Sequence, residues 1–97
     1  RFLHILTPCP TGWGYEPRYT VEVSRLAVES RLFPLYEIRG GQDYRITYRS
    51  FEKDALEKFL QLQKRFTGVS ARIDDLKTGI ERDWDRICQL ETLAASR

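Results

Sequence analysis

A cysteine between two prolines is the part of the sequence best suited to chemistry. Cys9 stands in the run PCPTGWG at residues 8–14. The prolines stiffen the backbone on both sides of the thiol, and the amides from Thr11 to Gly14 are free to point at the sulfur. A Cys-Pro pair also ends the ferredoxin-type ligand motif, in which thiolates hold iron and backbone donors tune the cluster. Because one cysteine cannot hold a cluster that needs four ligands, a buried structural thiol stays open as the alternative.

No other group of residues predicts a catalytic site. The chain lacks the Gly-Lys-Ser/Thr end of a phosphate-binding loop, and GWG at residues 12–14 lacks the third glycine of a dinucleotide fingerprint. His4 is the single histidine and lies in an apolar run, so we interpret it as a packed strand residue. Cys88, on the apolar side of the last predicted helix, is interpreted as a structural thiol. We therefore predict no catalytic residue within this chain.

Charge and composition exclude several classes of function. The 97 residues include 16 Lys and Arg against 14 Asp and Glu, and the net charge of +2 is too weak to predict binding to nucleic acid or an anionic membrane. A basic strand face at Arg45, Thr47 and Arg49 is interpreted as solvated or as facing another protein. The two cysteines make no disulfide framework, and the apolar runs are too short to span a bilayer. We expect a cytoplasmic protein.

The element expected to position Cys9 is a short strand. Residues 2–6 (FLHIL) are nearly all apolar, the pattern of a strand buried on both faces of a parallel sheet. Its neighbouring strands must come from outside these residues. The absence of methionine agrees with this expectation of a larger protein. Residues 7–19 are predicted to form an irregular loop after the strand, where ligands collect in open α/β sheets.

The rest of the sequence predicts a helix, a hairpin and two further helices. Thr20 is the expected N-cap of a helix that ends near residue 31. Residues 32–39 and 44–49 are predicted strands, joined by the turn residues GGQD. Ser50 is expected to cap a helix that reaches residue 66, and Ser70 a longer helix that frays from residue 93 onward.

The predicted fold class is α+β, in two parts. Residues 1–19 would be the last core strand and the loop of an upstream α/β domain. Residues 20–97 would be a C-terminal extension of helix, β-hairpin and two-helix tail. The tail carries apolar stripes that we expect to dock on neighbouring subunits, one around Phe59 and Phe66 and the other around Ile80 and Trp84.

Five segments resemble the C-terminal part of the β subunit of pyruvate:ferredoxin oxidoreductase and related 2-oxoacid:acceptor oxidoreductases. They occur in the order and at the spacing of that family over nearly the whole chain: residues 8–13 (PCPTGW), 25–30 (RLAVES), 32–37 (LFPLYE), 44–48 (YRITY) and 62–66 (LQKRF). No single string is diagnostic, whereas their succession is specific.

The resemblance implies a subunit that binds thiamine diphosphate and Mg²⁺ on an α/β fold, whose last strand and loop would be residues 1–19. It also implies a 4Fe-4S cluster with Cys9 as its fourth ligand. Thr11 and Gly12 are then candidate amide donors to the cluster sulfur. In the family, a Cys-x-x-Cys pair, a further Cys and the Gly-Asp-Gly diphosphate motif lie upstream, and none of these is among the present residues.

The implied reaction is the oxidative decarboxylation of a 2-oxoacid to an acyl-CoA, most simply of pyruvate, with electrons passed to ferredoxin or flavodoxin. The implied partners are the rest of the β subunit, the other subunits of the complex, coenzyme A, the 2-oxoacid and the electron acceptor. The segment alone is not expected to be catalytic. The alternative is a non-catalytic assembly module with a structural thiol at Cys9, whose helices mediate oligomerisation.

Overall fold

The computed structural model describes residues 1–68 and 72–96. In chain order these residues form α1 (Pro10–Trp13), a 3₁₀ turn (Pro17–Tyr19), α2 (Thr20–Glu29), β1 (Leu35–Arg39), β2 (Asp43–Tyr48), α3 (Ala55–Gln61), a second 3₁₀ turn (Lys64–Phe66) and α4 (Ile73–Ala95). The α+β class predicted from the sequence is confirmed, with β1 and β2 paired as an antiparallel hairpin. The predicted cap at Ser70 lies outside the described residues.

The strand predicted at residues 2–6 is absent, because residues 1–9 have no regular secondary structure. A strand requires hydrogen bonds to a neighbour, and the sheet within residues 1–68 and 72–96 contains β1 and β2 alone. The side chains of Phe2 and Leu3 are consequently 89% and 83% exposed. His4 is also exposed rather than packed in a sheet. Its ring meets that of Phe33 edge-on, with 5.2 Å between the centroids.

The hydrophobic core lies between α2 and α3. Val23, Leu26 and Ala27 recur at helical spacing on one face of α2 and are fully buried against Ala55 and Phe59 of α3. The segment before α2, the residues between α2 and β1, and the second 3₁₀ turn complete this core. Their partly buried side chains include Leu6, Trp13, Tyr19, Phe33 and Phe66. The segment that contains Cys9 is therefore packed on the core by residues on both sides of the cysteine, such as Leu6 and Trp13.

Two helices begin at different residues from those predicted. Thr20 does not cap α2, because its hydroxyl donates to the Pro17 carbonyl at 2.7 Å and the first 3₁₀ turn runs directly into the helix. Ser50 does not cap α3, which begins five residues later. The amide of Glu52 donates instead to the Glu29 carbonyl at the end of α2, at 3.1 Å. This contact holds Glu52 against the end of α2, and α3 begins only after it.

The end of α3 also comes earlier than predicted. Gln63 has an extended backbone (φ −119°, ψ 121°), so the helix does not continue to Phe66. Its buried side-chain amide donates to the Phe59 carbonyl at 2.7 Å and thereby satisfies one of the free acceptors at the end of α3. The second 3₁₀ turn follows in a new direction.

The long helix α4 packs on β2, where Trp84 and Ile46 are buried. The expectation that the stripes around Phe59 and Trp84 dock on neighbouring subunits is wrong for these two residues. Phe59 is 1% exposed and Trp84 is 8% exposed. Both are covered by other elements of the same chain, whereas their neighbours Phe66 and Ile80 are half-buried.

Arg31 connects three parts of the chain, namely the end of α2, the segment after β2 and α4. No sequence pattern predicts this role. Arg31 follows α2 with φ +65°, a left-handed conformation that usually requires glycine or asparagine. Its guanidinium lies 4.0 Å from the Trp84 ring centroid and 4.8 Å from that of Phe51, and it donates to the Arg49 carbonyl. These stacking and hydrogen-bond contacts offset the local backbone strain.

Acidification is expected to loosen the contact between α4 and β2. The Glu91 carboxylate accepts from the Ile46 amide at 2.7 Å and from the Arg49 guanidinium. These two hydrogen bonds, that of Ile46 first, hold the pKa of Glu91 below its ordinary value. Since the pKa is lowered by folding, the stabilisation is present above the unfolded-state pKa and is lost as pH falls through the folded-state pKa.

Hydrogen exchange of the Ile46 amide, corrected for its intrinsic pH dependence, measures this effect. Protection should fall as the pH is lowered through the titration of Glu91. Glu91→Gln keeps an acceptor for the amide but cannot titrate, so its protection should vary much less with pH. Glu52→Gln, at another paired carboxylate, is the control. An unchanged pH dependence in Glu91→Gln would contradict this account.

Candidate functional site

Cys9 presents an exposed, unpaired thiol at the beginning of α1. It occupies the N-cap position with an extended backbone (φ −126°, ψ 106°), and Pro10 follows as the first helical residue. The Gly12 amide donates to Cys9 Sγ at 3.3 Å. The thiol is therefore held at the surface in a defined direction, and it is not the buried structural thiol that the sequence left open as an alternative.

The other amides of the loop do not reach the sulfur. The Trp13 amide donates to the Cys9 carbonyl at 2.8 Å, and the Gly14 amide donates to the Pro10 carbonyl at 2.9 Å. Thr11 is exposed, and Gly12 is the one hydrogen-bond donor to Sγ within residues 1–68 and 72–96. The assignment of Thr11 and Gly12 as donors to a cluster stays a prediction.

Gly14 ends α1 and fixes the loop on the core. Its backbone is left-handed (φ +75°, ψ 51°), which closes the helical turn and which glycine adopts without steric cost. Its carbonyl accepts from the Lys64 amide at 2.9 Å. The backbones are so close that a Cβ at residue 14 would lie 2.9 Å from Lys64 Cβ. Only glycine permits this approach.

The Trp13 side chain is the second anchor of the loop. Its ring meets those of Phe59 and Tyr15 edge-on, at centroid distances of 6.4 Å and 6.3 Å. The Arg65 guanidinium lies 4.0 Å from the Trp13 ring centroid and donates from Nε to Gln63 Oε1 at 2.8 Å. Partial burial lowers the pKa of Arg65 from its ordinary value.

Gln63 and Arg65 also contribute to the site, and no sequence motif predicts this contribution. Both residues lie in the string LQKRF, one of the five family-like segments. Neither has the spacing of a catalytic or metal-binding motif. Their role depends on the turn after α3 meeting the loop before α2, and local patterning does not reveal such a contact.

The donor set fits one ligand position of a metal site and no more. Among the described residues, no three His, Cys, Asp or Glu side chains lie together so as to hold a metal ion. A thiolate is the ligand that iron–sulfur clusters use, and an amide hydrogen bond to the ligand sulfur raises the cluster potential. Cys88 is half-buried on α4, consistent with a structural thiol. No helix in the described part of the chain is long and apolar enough to cross a membrane.

Known proteins similar to this chain are named subunits of two enzymes. Pyruvate synthase subunit PorB of Methanocaldococcus jannaschii is 41% identical over 90 residues, which cover 93% of the chain and 29% of the relative. PorB of Thermotoga maritima is 34% identical over an alignment of 102 residues, which covers 99% of the chain and 31% of the relative. Ketoisovalerate oxidoreductase subunit VorB of Pyrococcus abyssi is 36% identical over 92 residues, covering 92% and 29%. No family model matches the chain.

These matches define the class as subunits of oxidoreductase complexes. The chain belongs to the PorB and VorB family and corresponds to the C-terminal part of its β subunits. The resemblance predicted from five short segments is thereby confirmed. The chain spans about 29% of the length of the M. jannaschii relative, so the activity of a complete subunit belongs to the proposal that follows.

Proposed function

We propose that this chain is the C-terminal part of the β subunit of a 2-oxoacid:ferredoxin oxidoreductase, most simply of the pyruvate synthase type. In it, Cys9 supplies one thiolate ligand to a 4Fe-4S cluster. The observation that carries the proposal is the exposed Sγ of Cys9, which is free of any disulfide and is directed by the Gly12 amide. The names of the relatives support the class of enzyme.

The remaining parts of the proposed enzyme are supplied from outside these residues. Three further cysteine ligands would come from upstream sequence, as would the groups that bind thiamine diphosphate and Mg²⁺. When bound, the cluster supplies one-electron transfer to ferredoxin or flavodoxin. The 2-oxoacid and coenzyme A would likewise bind mainly to other parts of the complex, in the reducing cytoplasm. The role of this chain is to hold one sulfur in place and to cover part of the site.

The exposed N-terminal run supports the proposed division into residues 1–19 and 20–97. Phe2, Leu3 and Ile5 are largely exposed in the chain as it stands. We propose that residues 2–6 add as a last strand to the sheet of the upstream thiamine diphosphate domain, which would bury both faces of the run. Cys9 would then follow the carboxyl end of a core strand, next to the cofactors.

Replacement of Cys9 in the complete complex tests the proposal. Cys9→Ala should lose one cluster's content of iron and the cluster's visible absorbance, and the reduction of ferredoxin should fall to background. The reason is that a cluster without its fourth thiolate is labile. Cys88→Ala is the matched control and should keep the iron. Full iron content and full electron transfer in Cys9→Ala would contradict the proposal.

A second candidate, the non-catalytic assembly module, is favoured by the hydrogen bond from Gly12 to Sγ, since a capping role alone explains it. Cys9→Ser separates the two candidates. Serine is a strong N-cap residue and preserves the local helix, whereas its hydroxyl is a poor substitute for an iron-binding thiolate. Under the enzyme proposal Cys9→Ser loses the cluster, and under the module proposal it changes nothing.

A further inference from the structure

We infer that Arg65 is a positioning residue for the Cys9 loop (residues 8–14), through its guanidinium, which lies over the Trp13 ring with 4.0 Å between Cζ and the ring centroid. The inference rests on the proposed function, because its consequence is the direction in which Cys9 meets a cluster. The Arg65 guanidinium contacts the rings of Trp13 and Phe66 rather than the sulfur. It acts through Trp13, which follows Cys9 by four residues in the same short loop.

The position of the Arg65 guanidinium over Trp13 is fixed by a contact with Gln63. Gln63 is 2% exposed, and its two polar side-chain atoms are both used. Nε2 donates to the Phe59 carbonyl at 2.7 Å, and Oε1 accepts from Arg65 Nε at 2.8 Å. The guanidinium is thus tied to the end of α3. A second ring, that of Phe66, lies 4.4 Å from it and limits its movement further.

The Trp13 ring lies where it can transmit this constraint to the thiol. The amide of Trp13 donates to the Cys9 carbonyl at 2.8 Å, so movement of Trp13 opens the same turn that directs Sγ. Within the described residues, the other direct attachment of the loop to the second 3₁₀ turn is the hydrogen bond from the Lys64 amide to the Gly14 carbonyl. Because α1 spans four residues, it has too few internal hydrogen bonds to hold its own shape.

Planarity, rather than charge alone, is what this role requires. A lysine at position 65 keeps the positive charge but cannot stack a planar group on the indole or donate from Nε to Gln63. Arg65→Lys therefore separates positioning from simple electrostatics. Arg65→Gln removes the charge and replaces the guanidinium by a smaller planar amide on a shorter side chain. Arg86→Lys, on the exposed side of α4, is the matched control.

The test uses the complete complex and two measurements besides turnover. The first is hydrogen exchange in a peptide that covers residues 11–15, with the hairpin peptide as an internal reference. The second is the electron paramagnetic resonance spectrum and midpoint potential of the reduced cluster. In Arg65→Lys we expect roughly tenfold faster exchange in the loop peptide, an altered cluster spectrum and an unchanged hairpin. The Arg86→Lys control should change neither.

The possible results separate this inference from the proposed function. Unchanged loop exchange in Arg65→Lys would overturn the inference, as would an effect seen in Arg65→Gln but absent from Arg65→Lys, since charge alone would then account for it. Faster loop exchange with an unaltered cluster spectrum would also overturn it, while the ligand role could still be upheld by the loss of iron in Cys9→Ala. If Cys9→Ala keeps its iron, the proposed function fails, and the inference that rests on it fails with it.

Discussion

Phe59→Ala is expected to destabilise the packing of α2 on α3 by about 3–5 kcal/mol. Phe59 is 1% exposed and is the largest fully buried side chain in the described part of the chain. Its removal leaves a cavity between α2 and α3 that cannot close without moving the backbone. The ring also contacts those of Trp13 and Phe66. The loss should therefore spread to the Cys9 loop and to the second 3₁₀ turn.

Native-state hydrogen exchange in the complete complex measures this loss. Amides of α2 and α3 should exchange at least roughly a hundredfold faster, because about 1.4 kcal/mol corresponds to a factor of ten. Leu93→Ala is the control, since Leu93 is 54% exposed and its truncation removes little buried surface. Equal effects of the two substitutions would show that α2 and α3 are held by something other than this core.

Gly14→Ala is expected to detach the Cys9 loop from the turn that holds it. Two costs add at this residue. A left-handed backbone costs a non-glycine residue about 1 kcal/mol, and the new Cβ would lie 2.9 Å from Lys64 Cβ. Relief of that overlap requires the loop to move away, which breaks the hydrogen bond from Lys64 to Gly14. A total loss of about 2–4 kcal/mol in loop docking follows.

Gly41→Ala isolates the contribution of the close contact. Gly41 has φ +76°, nearly the same φ as Gly14, but a Cβ there would have nothing within 4 Å. It should show only the backbone cost, and only in the hairpin. Exchange of the Trp13 and Lys64 amides and the iron content of the complex are the measurements. If Gly14→Ala and Gly41→Ala give the same amide exchange at Trp13 and Lys64 and the same iron content, the close approach of Gly14 to Lys64 does not hold the loop.

The sequence was sufficient for the features that depend on neighbours along the chain. The glycine pair at residues 40 and 41 predicted the hairpin, because positive φ angles at a turn require glycine. The apolar spacing predicted α2 and its buried face. The order of five short strings was enough to indicate the family. Cys9 was singled out because a thiol between two prolines is chemically unusual wherever it occurs.

The tertiary structure decided the features that depend on residues far apart in the chain. The sequence left open whether Cys9 is buried, and its exposure follows from where α1 packs. Ser50 has the side chain of an N-cap, but the hydrogen bond from the Glu52 amide to the Glu29 carbonyl delays the start of α3. The run at residues 2–6 predicted a strand, and none forms, because no strand of the described residues pairs with it.

The roles of Gly14 and Arg65 show the division most clearly. Taken alone, Gly14 is an ordinary loop glycine and Arg65 an ordinary surface arginine. Each acquires its role when the turn after α3 meets the loop before α2, and that meeting is set by the packing of Phe59 and its neighbours. Local propensities act over a few residues, whereas packing joins segments from opposite ends of the core. The sequence by itself therefore determined the ligand candidate and the family, and only the folded chain determined what holds that ligand in place.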